Sequence, residues 1–465
     1  MKWRARTLGT LLSLSVVGCG PALPPEASWP PAAKQWFDRA SQSYRVGDME
    51  DAETASENAL RMLPDEPEVR LIAARIALAR LEYDRSVQLL SGVQSAQASA
   101  VRGRAYWYGG QLAKAADELE QLIADPEVRD PWATEVAKLA RRGTGRTPFK
   151  MSGGLLAVSE MPRVSATALV VPLEINGEQA LGLIATGTAE AVLDTAGGTE
   201  PTWVSLRFGE RVEVKDVPAL AKDLSGISRQ LNAPIKMLIG VNLLRHLHPT
   251  FDFTGGQFVV RTFEPPPPPE ATTLRVSYLR GGGMLLRGAF GSEPTSKAAS
   301  LLVDTSMTFP LALDDGGWKK AGVGLNSLRS VPNLGNLRAG MLPVLRLGAF
   351  ELPDVPGVYG APVEELEQGL DVDIDGLVGS GLLAPFRVTL VDGGRTIWLE
   401  DMPRAAVEAA RRPPPPPPLE EDDESATEEG TPEEPDSKAP TGKAPATKAP
   451  AKAPATKAPV TGAKP

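Results

Sequence analysis

Two stretches decide the fold: Ala180-Leu181-Gly182-Leu183-Ile184-Ala185-Thr186-Gly187, and Leu301-Leu302-Val303-Asp304-Thr305-Ser306. In each, an apolar run enters a short polar loop with Thr at its centre. The first run is preceded by Ala168 to Ile175 and by Asn176-Gly177, the strongest short-range hairpin signal, so two antiparallel strands lead into the loop. Downstream the two halves stay in step. Leu206-Arg207-Phe208-Gly209 returns as Leu345-Arg346-Leu347-Gly348, an offset of 139 (345 minus 206). Asp216-Val217-Pro218 returns as Asp354-Val355-Pro356, and Leu238-Ile239-Gly240 as Leu377-Val378-Gly379. Each half closes on a Gly-Gly turn, Gly255-Gly256 and Gly393-Gly394. The chain therefore carries one β-domain twice, at 165–262 and 271–401.

The order of hairpin, apolar strand, X-Thr-Gly loop and later apolar-apolar-Gly strand resembles retropepsin-like aspartic proteases, in which X is Asp. The resemblance covers about half the chain and implies two closed β-barrels facing each other, with the Gly strand passing behind each loop. It also implies that Thr186 and Thr305 cross-bond between lobes. The catalytic position is Ala185 in the degenerate loop Ala185-Thr186-Gly187, and Asp304 in the loop Asp304-Thr305-Ser306. Aspartic proteolysis needs two carboxylates sharing one proton, one as base and one as acid. Within one chain Asp304 faces a methyl group. Ser306 stands where the family has Gly, and a Cβ there is expected to strain the loop. Asp194, nine residues after Ala185 (194 minus 185), is a candidate substitute acid and is expected to point away from the site. Two functions compete: a non-catalytic pseudoprotease that binds a peptide or envelope protein, and an active endopeptidase in which two chains of a homodimer each lend Asp304.

The rest of the chain sets the context. Its 465 residues suit about three domains. The formal net charge of -9 leaves no basic stripe for nucleic acid. One Cys and two His, His246 and His248, exclude a thiol or imidazole metal cage, and no cofactor is implied. Lys2, Arg4 and Arg6 precede an apolar run from Leu8 to Val17, a secretory signal over 1–18 that ends at Cys19. That junction resembles a bacterial lipobox, the alternative being a plain signal peptide with a chance Cys. The resemblance implies diacylation of Cys19, stable attachment to the membrane, and, with Gly20 after it, the periplasmic side of the outer membrane.

After a linker at 19–30, small residues at 31–143 recur at helix-pair spacing: Ala40, Gly47, Ala52, Ala59 and Pro64. A shift of 34 (74 minus 40) lays Ala40 on Ala74 and Gly47 on Leu81, and Gly103 with Gly110 opens a third copy. This resembles tetratricopeptide repeats, an α-helical solenoid that serves either as a partner-binding surface or as a platform for the β-domains. Pro265 to Pro269, within a proline-rich linker at 263–270, is semi-rigid polyproline and is expected to hold the lobes about 15 Å apart. A short helix is expected at 402–412. The Pro-rich, acidic and Lys-Ala-Pro tail at 413–465 has too little to bury and reads as disordered, either a solvated tail or a lysine ladder for an anionic polymer. The predicted fold class is thus multidomain α + β, helices followed by two tandem retropepsin-like barrels.

Overall fold

The computed structural model describes residues 29–164, 167–332 and 335–401. Cys19 with its signal, the helix expected at 402–412 and the tail lie outside the described residues. No described helix is long and apolar enough to cross a membrane.

Helices come first: α1 Pro31–Arg45, α2 Met49–Met62, α3 Pro67–Ala79, α4 Tyr83–Leu89, α5 Ala96–Tyr108, α6 Leu112–Ile123 and α7 Pro131–Arg142. Pro at the first turn of α1, α3 and α7 starts a helix at no hydrogen-bond cost. Asp48, Ser95 and Asp130 cap α2, α5 and α7 through their side chains. Gly47, Leu81 and Gly110, which the sequence aligns with one another, all adopt left-handed φ (+72°, +63° and +72°) in the turns after α1, α3 and α5. One turn geometry is thus used three times, once by a leucine against its preference. Ala40, Ala52, Ala59 and Ala74 are buried, where small side chains allow close helix approach.

Strands follow in two sets. The first holds β1 Lys150–Gly153, β2 Leu156–Glu160, β3 Val170–Ile175, β4 Glu178–Ile184, β5 Ala191–Asp194, β6 Thr202–Phe208, β7 Val212–Lys222, β8 Ile235–Ile239, β9 Thr250–Asp252 and β10 Gln257–Arg261. The second holds β11 Thr272–Leu279, β12 Gly283–Phe290, β13 Lys297–Asp304, β14 Leu311–Leu313, β15 Arg329–Ser330, β16 Arg338–Leu347, β17 Phe350–Tyr359, β18 Gly376–Gly379, β19 Phe386–Val391 and β20 Thr396–Asp401. In the first set β6-β7-β5-β8-β4-β3 closes into a six-stranded barrel because β3 pairs with β6. In the second β16-β17-β14-β18-β13-β12 closes the same way, β12 pairing with β16. Each barrel mixes parallel pairs, β4 with β8 and β13 with β18, among antiparallel ones. Two closed six-stranded barrels of one topology follow the helices, as the repeat in the sequence requires.

The sequence offset between the halves grows from 119 at the polar loops (304 minus 185) to 139 at β16. The extra length lies at residues 314–337, which carry the short helix Asp315–Lys320 and β15. Trp318 of that helix is fully buried in the main core together with Leu311, Leu313, Leu328 and Leu342. The first lobe also begins earlier than the sequence boundary at 165. β1 pairs with β7, and β2, whose alternating exposure marks a half-buried strand, pairs with β10.

The expected 15 Å gap between lobes is absent. β9 pairs directly with β19, joining the lobes in a six-stranded antiparallel sheet of order β2-β10-β9-β19-β20-β11. At its seam Thr250 Oγ1 and Thr389 Oγ1 lie 2.9 Å apart, and Arg387 bonds the buried Asp252. The proline linker connects β10 to β11, four strand spacings apart, about 19 Å at ~4.8 Å each. Both strands run in the same direction, so the linker travels back across the sheet, and Glu264 accepts a bond from Asp392 N in the β19–β20 turn. The semi-rigid prolines match a strap over joined lobes rather than a spacer between separated ones.

Candidate functional site

The two polar loops meet at the pseudo-twofold axis through their threonines. Thr186 Oγ1 donates to Val303 O at 2.9 Å, and Thr305 Oγ1 donates to Ile184 O at 2.9 Å. Thr305 N donates to Thr186 Oγ1 at 3.0 Å, and Thr186 N to Thr305 Oγ1 at 3.2 Å. Both threonines are buried. Each hydroxyl therefore serves as donor and acceptor at once, and the pairing forms within a single chain. Val303 and Ile184 are the strand residues just before Asp304 and Ala185, so the bonds fix where those two side chains start.

Behind each loop runs the Gly strand. Asp304 pairs with Gly379 of β18, and Ala185 N donates to Ile239 O at the end of β8. Gly379 and Gly240 allow this approach, because an added Cβ at Gly379 would lie 2.5 Å from Met307 O and one at Gly240 would lie 2.7 Å from Ala189 O.

The two loops then diverge chemically. Asp304 is half-buried, and its Oδ1 accepts from Ser306 N at 3.0 Å and from Ser306 Oγ at 2.6 Å. On its other side the carboxyl lies against Gly187, where an added Cβ would come within 2.5 Å of Asp304 Cγ. Ala185 is buried and offers only a methyl. Ser306 does not take left-handed φ, so the strain expected of a Cβ in place of Gly does not arise; the side chain turns to Asp304 and is solvent-exposed. Asp194 is engaged elsewhere, bonding Lys236 Nζ at 3.2 Å and Leu224 N at 3.2 Å. His246 stacks on Phe149 with ring centroids 4.4 Å apart, and the His248 carbonyl accepts from Arg261. Neither imidazole is joined to Asp304. Among the described residues no group of His, Cys, Asp and Glu could hold a metal ion.

Sequence reading missed a second polar cluster five residues beyond Ala185. Glu190, only 3% exposed, accepts through Oε1 from Trp107 Nε1 (3.2 Å), Tyr108 OH (3.1 Å) and Trp132 Nε1 (3.2 Å). Oε2 faces Asn242 Nδ2 at 3.5 Å, and Asn242 Oδ1 accepts from Arg245 at 2.6 Å. The buried Arg245 guanidinium lies over the rings of Tyr108 and Tyr278 and reaches Gly281 O. Helices and first lobe thus converge on the Glu190 carboxylate, and the second lobe joins the same cluster through Arg245. Burial raises the Glu190 pKa, opposed by the hydrogen bonds from Trp132, Tyr108 and Trp107. The lone signal was a Glu inside an apolar segment, which gives no hint of partners about 60 to 80 residues away.

The helices cover both lobes. Ala40, Tyr44, Met49, Ile72 and Ile76 share a core with Leu279, Leu285, Leu302 and Leu377 of the second lobe. Residues of α3 to α7 pack with Ala189, Trp203 and Leu220 of the first. Polar bonds reinforce the contact: Ser300 Oγ donates to Val46 O at 2.6 Å, Arg287 bonds Asp48, and Trp203 Nε1 donates to Leu139 O.

A scan against protein-family models and a search of curated proteins find no match. Among solved structures the chain is similar to a retropepsin-like aspartic protease from Rickettsia conorii, with 21% identity over 28% of this chain and 91% of that one, at a TM-score of 0.22.

Proposed function

We propose that this chain is a non-catalytic, aspartic-protease-like scaffold of the bacterial envelope, which presents the surface around its two loop tips to a peptide or protein. One observation carries the reading: the single carboxylate of the paired loops, Asp304, meets Gly187 and Ser306, and the matching position of the other loop is Ala185, which has no carboxylate to offer. Without a partner acid the proton-sharing pair cannot exist, and loss of one positioned acid or base removes about 10² to 10⁴-fold of rate. Gly187 and Ser306 are exposed, so a bound segment can reach the loop tips. We read α1 to α6 as three tetratricopeptide-like pairs whose task here is to clamp the two lobes. The two-chain enzyme gains no support, because each loop threonine is already bonded within its own chain.

The test is hydrolysis of unfolded casein and a mixed peptide library between pH 3 and 6 by the full-length chain. No cleavage above background is expected, and Asp304→Ala should be indistinguishable from wild type. A pepstatin-sensitive activity that disappears in Asp304→Ala overturns the reading. The lipid anchor at Cys19 is tested separately. Cys19→Ser is expected to move the chain from the membrane pellet to the soluble fraction, since two or three acyl chains are what hold such a protein to a bilayer; unchanged pelleting removes the anchor from the proposal.

A further inference from the structure

We infer that the site is closed to proteolysis at two coupled positions, with Ser306 occupying the space a second carboxylate at position 185 would need. The inference rests on the non-catalytic reading above and adds a residue to it. The four threonine bonds agree to within 0.2 Å across the axis (3.2 minus 3.0 Å for the N–H donors), so the surroundings of one loop describe the other. On one side the Asp304 carboxyl fits because Gly187 has no side chain: a Cβ there would lie 2.5 Å from Asp304 Cγ, 2.7 Å from Oδ2 and 2.8 Å from Oδ1. By the same symmetry the Ser306 Cβ faces position 185. Only a short side chain is accommodated opposite it, and Ala185 is one.

The pairs Asp304 with Gly187 and Ala185 with Ser306 are thus reciprocal solutions to one packing constraint, large against small in each direction. Ser306 also holds the remaining acid in place, since its hydroxyl and N–H give Asp304 Oδ1 the two donors that orient the carboxyl without a partner acid. Ser306 is therefore a positioning residue of an inert site, and restoring aspartate at 185 alone places a carboxyl against its Cβ.

Two double-mutant cycles measured by thermal unfolding of the full chain test this. Ala185→Asp is expected to lower Tm by roughly 5 °C or more through overpacking. Adding Ser306→Gly should recover most of that loss, although Ser306→Gly alone removes a hydrogen bond and should not stabilise. Should Ala185→Asp prove too unstable to purify, the intact side gives the same answer: Gly187→Ala should be destabilising with Asp304 present and tolerated in Asp304→Ala. Additive effects in either cycle overturn the coupling, whatever the casein assay shows. Conversely, wild-type peptidase activity overturns the non-catalytic reading and leaves the cycles to be judged on their own.

Discussion

Gly379→Ala is expected to unfold the second lobe or to leave it several kcal/mol less stable, with Gly240→Ala doing the same to the first. At Gly379 the added Cβ meets the carbonyl oxygens of Phe309 and Met307, and at Gly240 those of Glu190 and Ala189. These are backbone atoms, fixed by strands and by the loop that carries Asp304 or Ala185, so neither side can yield as a flexible side chain would. Overpacking costs about 1–3 kcal/mol when a core can adjust, and here adjustment means moving the loop itself. Urea unfolding of each variant checks it. A loss below about 1 kcal/mol at both sites would show that the strand behind the loop has slack that the geometry denies. Loss of the threonine cross-bonds should accompany the damage, because Ser380 N, next to Gly379, also donates to Met307 O.

The second large effect concerns Glu190. Glu190→Ala leaves Trp107 Nε1, Tyr108 OH and Trp132 Nε1 without their acceptor in a buried site, and each orphaned donor costs about 1–3 kcal/mol. It also removes the acceptor that faces Asn242 Nδ2, the residue whose Oδ1 holds Arg245. A destabilisation of about 3 kcal/mol or more is expected, accompanied by loosening of α5 to α7 from the first lobe in hydrogen exchange. Glu190→Gln keeps the Oε1 acceptor and exchanges only the contact to Asn242, so it should be much milder. Equal effects of the two substitutions would mean that the charge, not the acceptor, matters.

The same pair reports a pH dependence. The folded-state pKa of Glu190 is raised by burial, so the folded chain retains this proton to higher pH than the unfolded chain does. Its contribution is therefore most favourable below the unfolded value, near the ordinary pKa of about 4.3. It is lost as pH rises from there through the raised folded value. Stability of wild type relative to Glu190→Gln should decline over that window, and a flat difference between the two proteins would contradict a raised pKa.

Much of this architecture was legible in the residues because it depends on local pattern and on duplication. The Asn176-Gly177 turn, the apolar runs into the Thr loops and the recurring Leu-Ile-Gly and Leu-Val-Gly segments define strands and their order without reference to distant partners. That position 185 carries no carboxylate is likewise a fact of sequence. Ser306 was less legible. Its presence was plain but its effect was misjudged, since a Cβ in a loop causes strain only if φ is positive or space is lacking, and neither property is written in the residue. The proline linker was misjudged for a related reason: its stiffness and length are local, but whether that length bridges a gap or crosses a sheet depends on the β9–β19 pairing.

By itself the sequence determined that one β-domain occurs twice behind a helical segment, and that a proton-sharing carboxylate pair cannot form between residues 185 and 304 of one chain. Tertiary structure alone decided that the lobes are fused through a common sheet, that the helices clamp both of them, and that Glu190 lies where all three parts meet. The physical reason is range: turn preference, strand period and side-chain chemistry act over a few neighbouring residues, whereas the seam, the clamp and the buried carboxylate are contacts between segments dozens to hundreds of residues apart, chosen only when the whole chain packs.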